Sequence, residues 1–98
     1  MNKINLLHEA AALPAAWQSL ALGQAAGATL KVLRMDGAAY PSEAHGFEEA
    51  LLVLDGQMNL DMEGLPVIVR RGELAIVPAG VRHAVAAGSH GTLVVIDR

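Results

Sequence analysis

The chain has no cysteine, few aromatic residues, no long apolar run and no basic cluster. Without cysteine there can be no disulfide, no thiolate metal ligand and no cysteine nucleophile, and a reducing compartment is the natural setting. Aromatics make up 3% of the residues, so the core must be built from Ala, Val, Leu, Ile and Met. The apolar stretch from Ala10 to Trp17 is far too short to span a bilayer. After Lys3, His8 and Glu9 interrupt the N-terminal apolar residues, so no signal peptide is expected. The net charge of −3 and the lack of a DNA-reading helical pattern argue against nucleic acid as a partner. A cytoplasmic protein with neither a nucleic-acid nor a membrane partner is expected.

What is present is a high apolar fraction, 53%, in 98 residues. That length suits one domain over residues 1–98 and leaves apolar surface uncovered, which suggests a subunit interface. Residues 2–7 read as a short edge strand, and His8 to Leu13 as a helical turn or two stopped by Pro14. Beyond them, short alternating or wholly apolar segments are separated by turn residues. Residues 17–23 alternate loosely and residues 27–36 form a clearer strand. Asp55-Gly56 reads as a two-residue hairpin turn, because such turns need positive φ at both central positions. In that reading Leu54 pairs with Gln57, and Glu49, Leu51, Val53, Met58, Leu60 and Met62 share the inward face. Glu63-Gly64 and Arg71-Gly72 make further turns. Val77-Pro78-Ala79-Gly80 fits a type I turn. Residues 88–91 form a loop and residues 93–96 a last buried strand. About eight short strands with frequent turns predict an all-β antiparallel sandwich or barrel.

Four residues stand out within this pattern. Glu43, His45 and Glu49 are spaced by two and four, and His83 follows the turn at Pro78. Two imidazoles and two carboxylates suit a divalent first-row metal, Mn, Fe, Ni, Co or Zn. Strand parity puts His45 and Glu43 on the side of Glu49 if the strand stays regular back to them. Taken singly, each of the four reads more simply as a rim carboxylate or a half-buried histidine. As a set they read otherwise, because Glu49 lies in an apolar pattern where a lone carboxylate is costly. His8 and His90 are expected to face solvent. Arg34, Tyr40 and Gln57 are possible substrate contacts, each more simply read as a surface residue.

The spacings resemble the two motifs of the cupins, a family of small β-barrels. Gly37, Glu43, His45, Glu49 and Gly56 fall at the places of the first motif, with Glu43 where a histidine is usual. Gly72, Pro78, Gly80 and His83 match the second, with Ala87 in place of its Asn. The resemblance implies a jelly-roll barrel with His45, Glu49 and His83 as metal ligands and Glu43 as a plausible fourth. It further implies a homodimer, cytoplasmic residence and a small-molecule pocket at the barrel mouth. Two functions are compatible with it. One is an enzyme, an oxygenase or isomerase acting on a small organic molecule at the metal. The other is a non-catalytic small-ligand binding module with an empty or structural metal site, marked by a wholly apolar pocket without an acid–base partner.

Overall fold

The computed structural model describes residues 3–98. A helix, α1 (Leu6–Ala11), precedes eight strands: β1 (Leu20–Ala25), β2 (Ala28–Asp36), β3 (Tyr40–Glu43), β4 (Glu49–Met62), β5 (Leu65–Arg70), β6 (Leu74–Val77), β7 (His83–Val85) and β8 (His90–Asp97). They form one curled, antiparallel sheet in the order β1-β2-β8-β4-β7-β3, with β5 and β6 also paired to β4. The all-β expectation holds. Among the described residues no helix is long and apolar enough to cross a membrane.

The N-terminus differs from expectation. Leu6 and Leu7 belong to the helix and residues 3–5 are irregular, so no edge strand forms there; Asn2 lies outside the described residues. Local capping decides the matter: the Asn5 side chain accepts from the His8 amide at 3.1 Å, satisfying a donor of the first turn. Arg34 holds the helix down by donating from Nη1 to the carbonyls of Ala10 at 2.8 Å and Leu13 at 3.0 Å. It therefore serves the fold and not a ligand. Gln57, likewise, donates to the side chain of Asn59 at 2.9 Å.

Two hairpins have two-residue turns, the second of them at the expected place. Ala26-Gly27 joins β1 to β2 and Glu63-Gly64 joins β4 to β5, all four residues with positive φ. Asp55-Gly56 does not turn. β4 runs straight through it for 14 residues, pairing first with β6 and β8 and later with β5 and β7. The glycine serves a different need. Gly56 lies opposite Gly91 of β8, both at positive φ, and a Cβ on either would overlap the facing backbone carbonyl. The register slips there by one residue, between Val53 and Asp55, so an extra residue switches which parity faces inward. Glu49, Leu51 and Val53 point in before the bulge, and Met58 and Leu60 after it. The inward set is thus the expected one, reached through a bulge instead of a hairpin.

The turn at Pro78 is also displaced by one residue. Val81 N donates to Pro78 O at 3.2 Å, and Gly80, at φ 78°, sits at the third position, where a type II turn needs it. The last strand starts at His90, three residues earlier than expected, and extends to Asp97. The core around Met35, Leu51, Val53, Met58, Leu60 and Val95 contains no aromatic residue among its buried members.

Candidate metal centre

The four residues singled out from the sequence meet at one end of the curled sheet. One ligand atom from each of Glu43, His45, Glu49 and His83 lies within 4.8 Å of all the others. Pairing explains part of this. Glu43 on β3 is directly opposite His83 on β7, and Glu49 begins β4. His45 arrives by another route, since the chain is irregular between Glu43 and Glu49 and strand parity does not apply. The Gly80 amide donates to the His45 carbonyl at 2.7 Å, tying that loop to the turn that leads into His83. Phe47 stacks on the His45 ring at 5.0 Å and an angle of 8°.

The donors are spaced as ligands of one ion would be. His83 Nε2 is 3.0 Å from Glu49 Oε1 and 3.9 Å from Glu43 Oε1. His45 Nε2 is 3.4 Å from Glu43 Oε1 and 3.7 Å from Glu49 Oε1. Donors bonded at about 2.1 Å to a common ion lie roughly 3.0 Å apart at right angles and about 3.4 Å apart in a tetrahedron. Protonation supports the same reading. His83 Nδ1 lies 3.0 Å from the Val81 carbonyl, which can only accept, so Nδ1 carries the proton. In a neutral ring, Nε2 then turns a lone pair toward a carboxylate oxygen, and a cation between the two resolves the conflict.

Burial is unequal across the set. The side chains of His83 and Glu49 are 6% and 9% exposed, those of His45 and Glu43 26% and 41%. Burial pushes the Glu49 carboxyl above its ordinary value, His45 and His83 oppose the rise, and Asp97 adds to it.

A cavity of about 270 Å³ opens beside the cluster, walled by Leu33, Leu51, Met58, Val85, Leu93 and Val95. It also contains polar groups that sequence reasoning missed. Lys31 of β2 and Asp97 of β8 both line it, with Nζ 2.8 Å from Oδ1. That oxygen is buried and makes no well-angled hydrogen bond, so the contact is an ion pair of short distance and poor alignment. Ala50 pairs with Ile96, so one step along the two strands Asp97 comes opposite Glu49. The alternation Leu93, Val95, Asp97 carried this signal, hidden by ending the strand at Ile96. Tyr40, read as a surface residue, lines the cavity too. Counted with neutral histidines and all three carboxylates ionised, as a bound cation would favour, Glu43, Glu49 and Asp97 against the one ammonium leave two negative charges, which a divalent ion would cancel. His8 and His90 are exposed, as expected.

A curled antiparallel sheet with a His/Glu cluster that could hold a metal at its open end is the architecture of a small β-barrel with a candidate metal site. The chain belongs to the cupin family, whose domain model matches residues 32–97. It is 31% identical over 80 residues to quercetin 2,3-dioxygenase of Bacillus subtilis, a match covering 78% of this chain and 24% of that protein. The chain thus spans about a quarter of that relative's length. Among solved structures it resembles protein NMB1881 from Neisseria meningitidis, at TM-score 0.85 and 28% identity over 98% of both chains. A cupin-2 domain containing protein from Shewanella frigidimarina superposes at TM-score 0.86 with 18% identity, covering 97% of this chain and 94% of that one.

Proposed function

We propose that this cupin binds a divalent first-row transition metal (Mn, Fe, Ni, Co or Zn) through Glu43, His45, Glu49 and His83. We further propose that it acts on a small organic molecule in the adjoining cavity, in an oxygenase or isomerase reaction. The observation that carries the reading is the convergence of all four donors at the mouth of a cavity with a polar pole of its own. The Bacillus subtilis relative is named as a dioxygenase, which agrees with the oxygenase class. A bound ion of this kind supplies Lewis-acid polarisation of a ligand oxygen. The chain's own residues do the rest. The Val81 carbonyl fixes the orientation of the His83 ring. Leu51, Met58 and Leu93 exclude water from the cavity floor. Glu43, the more exposed carboxylate, is placed to take a proton from an entering ligand.

A passive binding module fits less well, because its pocket would be wholly apolar, whereas this one contains Lys31 and Asp97. The test is elemental analysis of protein purified without a His-tag or added metal. About one equivalent of a transition metal is expected, and it should be lost in His83→Ala and in Glu49→Ala. Unchanged metal content in both variants would falsify the ligand assignment.

We also propose that the chain is a homodimer. Leu74 and Ile76 of β6 and Ile68 of β5 are 53%, 59% and 49% exposed, and together they make an apolar outer face that a second copy would cover.

A further inference from the structure

All three aromatic residues of the chain, Trp17, Tyr40 and Phe47, line the same cavity, and each is half-buried. This placement is unusual, since aromatic side chains carry the largest packing area and ordinarily dominate a core. Here the buried core does without them. Trp17 is held at the cavity at a conformational cost. Its φ is 66°, a region that bulky residues seldom adopt. Two contacts keep it there: its amide donates to the Arg34 carbonyl at 2.9 Å, and its indole Nε1 donates to Asp36 Oδ1 at 2.7 Å. With the N–H so occupied, the ring offers a ligand only its π surface. Trp17 and Tyr40 lie 5.4 Å apart at 31°, forming one wall. Phe47 comes from the irregular segment beside His45, where no strand packing demands an aromatic residue.

Lys31 is the second unusual feature. It is the one Lys or Arg in the cavity lining, with its side chain 27% exposed, and its ammonium lies 2.8 Å from Asp97 Oδ1 without a well-angled hydrogen bond. An inward ammonium in an apolar cavity is costly unless it serves an oxygen.

We propose that the occupant of this cavity is a small planar ring compound bearing one acidic oxygen, its ring against Trp17, Tyr40 and Phe47 and its oxygen at Lys31. This deepens the proposed small-molecule reading by naming the ligand class and rests on that reading. At about 270 Å³ the cavity lies near the lower limit of ordinary small-molecule sites, which suits a compound of one substituted ring.

Trp17 is the only tryptophan, so quenching of its fluorescence reports occupancy directly. Planarity is tested in EDTA with two neutral probes of similar size, benzamide and cyclohexanecarboxamide. Benzamide should half-saturate at a concentration roughly three- to tenfold lower, the range expected for aromatic stacking. Equal half-saturation overturns the proposal. The acidic oxygen is tested with benzoate against benzamide on Zn²⁺-loaded protein. Benzoate should be favoured, and Lys31→Met should remove most of that preference; a preference that survives Lys31→Met overturns the placement of the oxygen. Phe47→Leu should narrow the gap between the neutral pair. If no metal binds yet benzamide still outcompetes its saturated analogue, the metal reading fails while the ring site stands.

Discussion

His83 and Glu49 face each other at 3.0 Å with the His83 proton already committed to the Val81 carbonyl on the ring's far side. An imidazole lone pair and a carboxylate stay that close only when a proton or a cation lies between them. The four proposed ligands should therefore differ in importance. Glu43 is the most exposed. Glu43→Ala is expected to weaken metal binding by roughly 10- to 100-fold without abolishing it, a size typical of supporting contacts. Glu43→His should keep the metal, since imidazole suits the same ions. Calorimetric titration with Zn²⁺ and Ni²⁺ ranks the variants. Glu43→Ala binding as tightly as the parent would remove Glu43 from the set.

The pH dependence of stability follows from Glu49. Burial lifts its carboxyl above the ordinary 4.5, so the metal-free native chain keeps a proton that the unfolded chain has already lost. Stability from this group is complete below the ordinary value and is lost as pH rises through the raised one. Melting temperature in EDTA should therefore fall across that window relative to Glu49→Gln, and added Zn²⁺, which favours the ionised form, should reverse the fall. Parallel pH profiles for the parent and Glu49→Gln would contradict this account.

The crossing of β4 and β8 tolerates no side chain. Gly56→Ala or Gly91→Ala has to displace backbone and should cost about 2 kcal/mol or more, on the order of 10 °C in melting temperature. Gly72 also has positive φ, at 82°, but a Cβ there meets nothing within 4 Å. Gly72→Ala should cost only the conformational strain, about 1 kcal/mol. Thermal melts of the three variants check the ordering.

The outer apolar face should control assembly. Ile76→Glu places a charge where a second copy would pack and is expected to yield monomers by light scattering, with the fold intact by circular dichroism. A parent protein that is already monomeric at micromolar concentration would refute the proposed dimer.

Much of this arrangement was legible in the residue order, though not always for the reason read there. The spacing of Glu43, His45 and Glu49 and the turn before His83 pointed to a common site, and the four do converge. Parity was the wrong argument for His45, whose position depends on a long-range backbone bond from Gly80. Asp55-Gly56 has the composition of a hairpin. Its glycine is required because another backbone passes against it, a tertiary fact that no local pattern records. Lys31, in the middle of β2, and Asp97, at the end of β8, went unnoticed because charged side chains ordinarily face water. Their inward direction is set by register against Leu33 and Val95 and by the closure of the sheet.

The long strand β4 has a consequence for how the protein matures. It begins at Glu49 and ends at Met62, which pairs with His83, so the two most buried of the proposed ligands depend on opposite ends of the same strand. A ribosome-bound chain that has not yet released residue 83 holds three of the four proposed ligands but lacks the buried imidazole that Glu49 faces. On the proposed ligand set, ion capture would be completed only once the polypeptide has closed on itself, so the metal would seal a finished molecule instead of seeding an unfinished one.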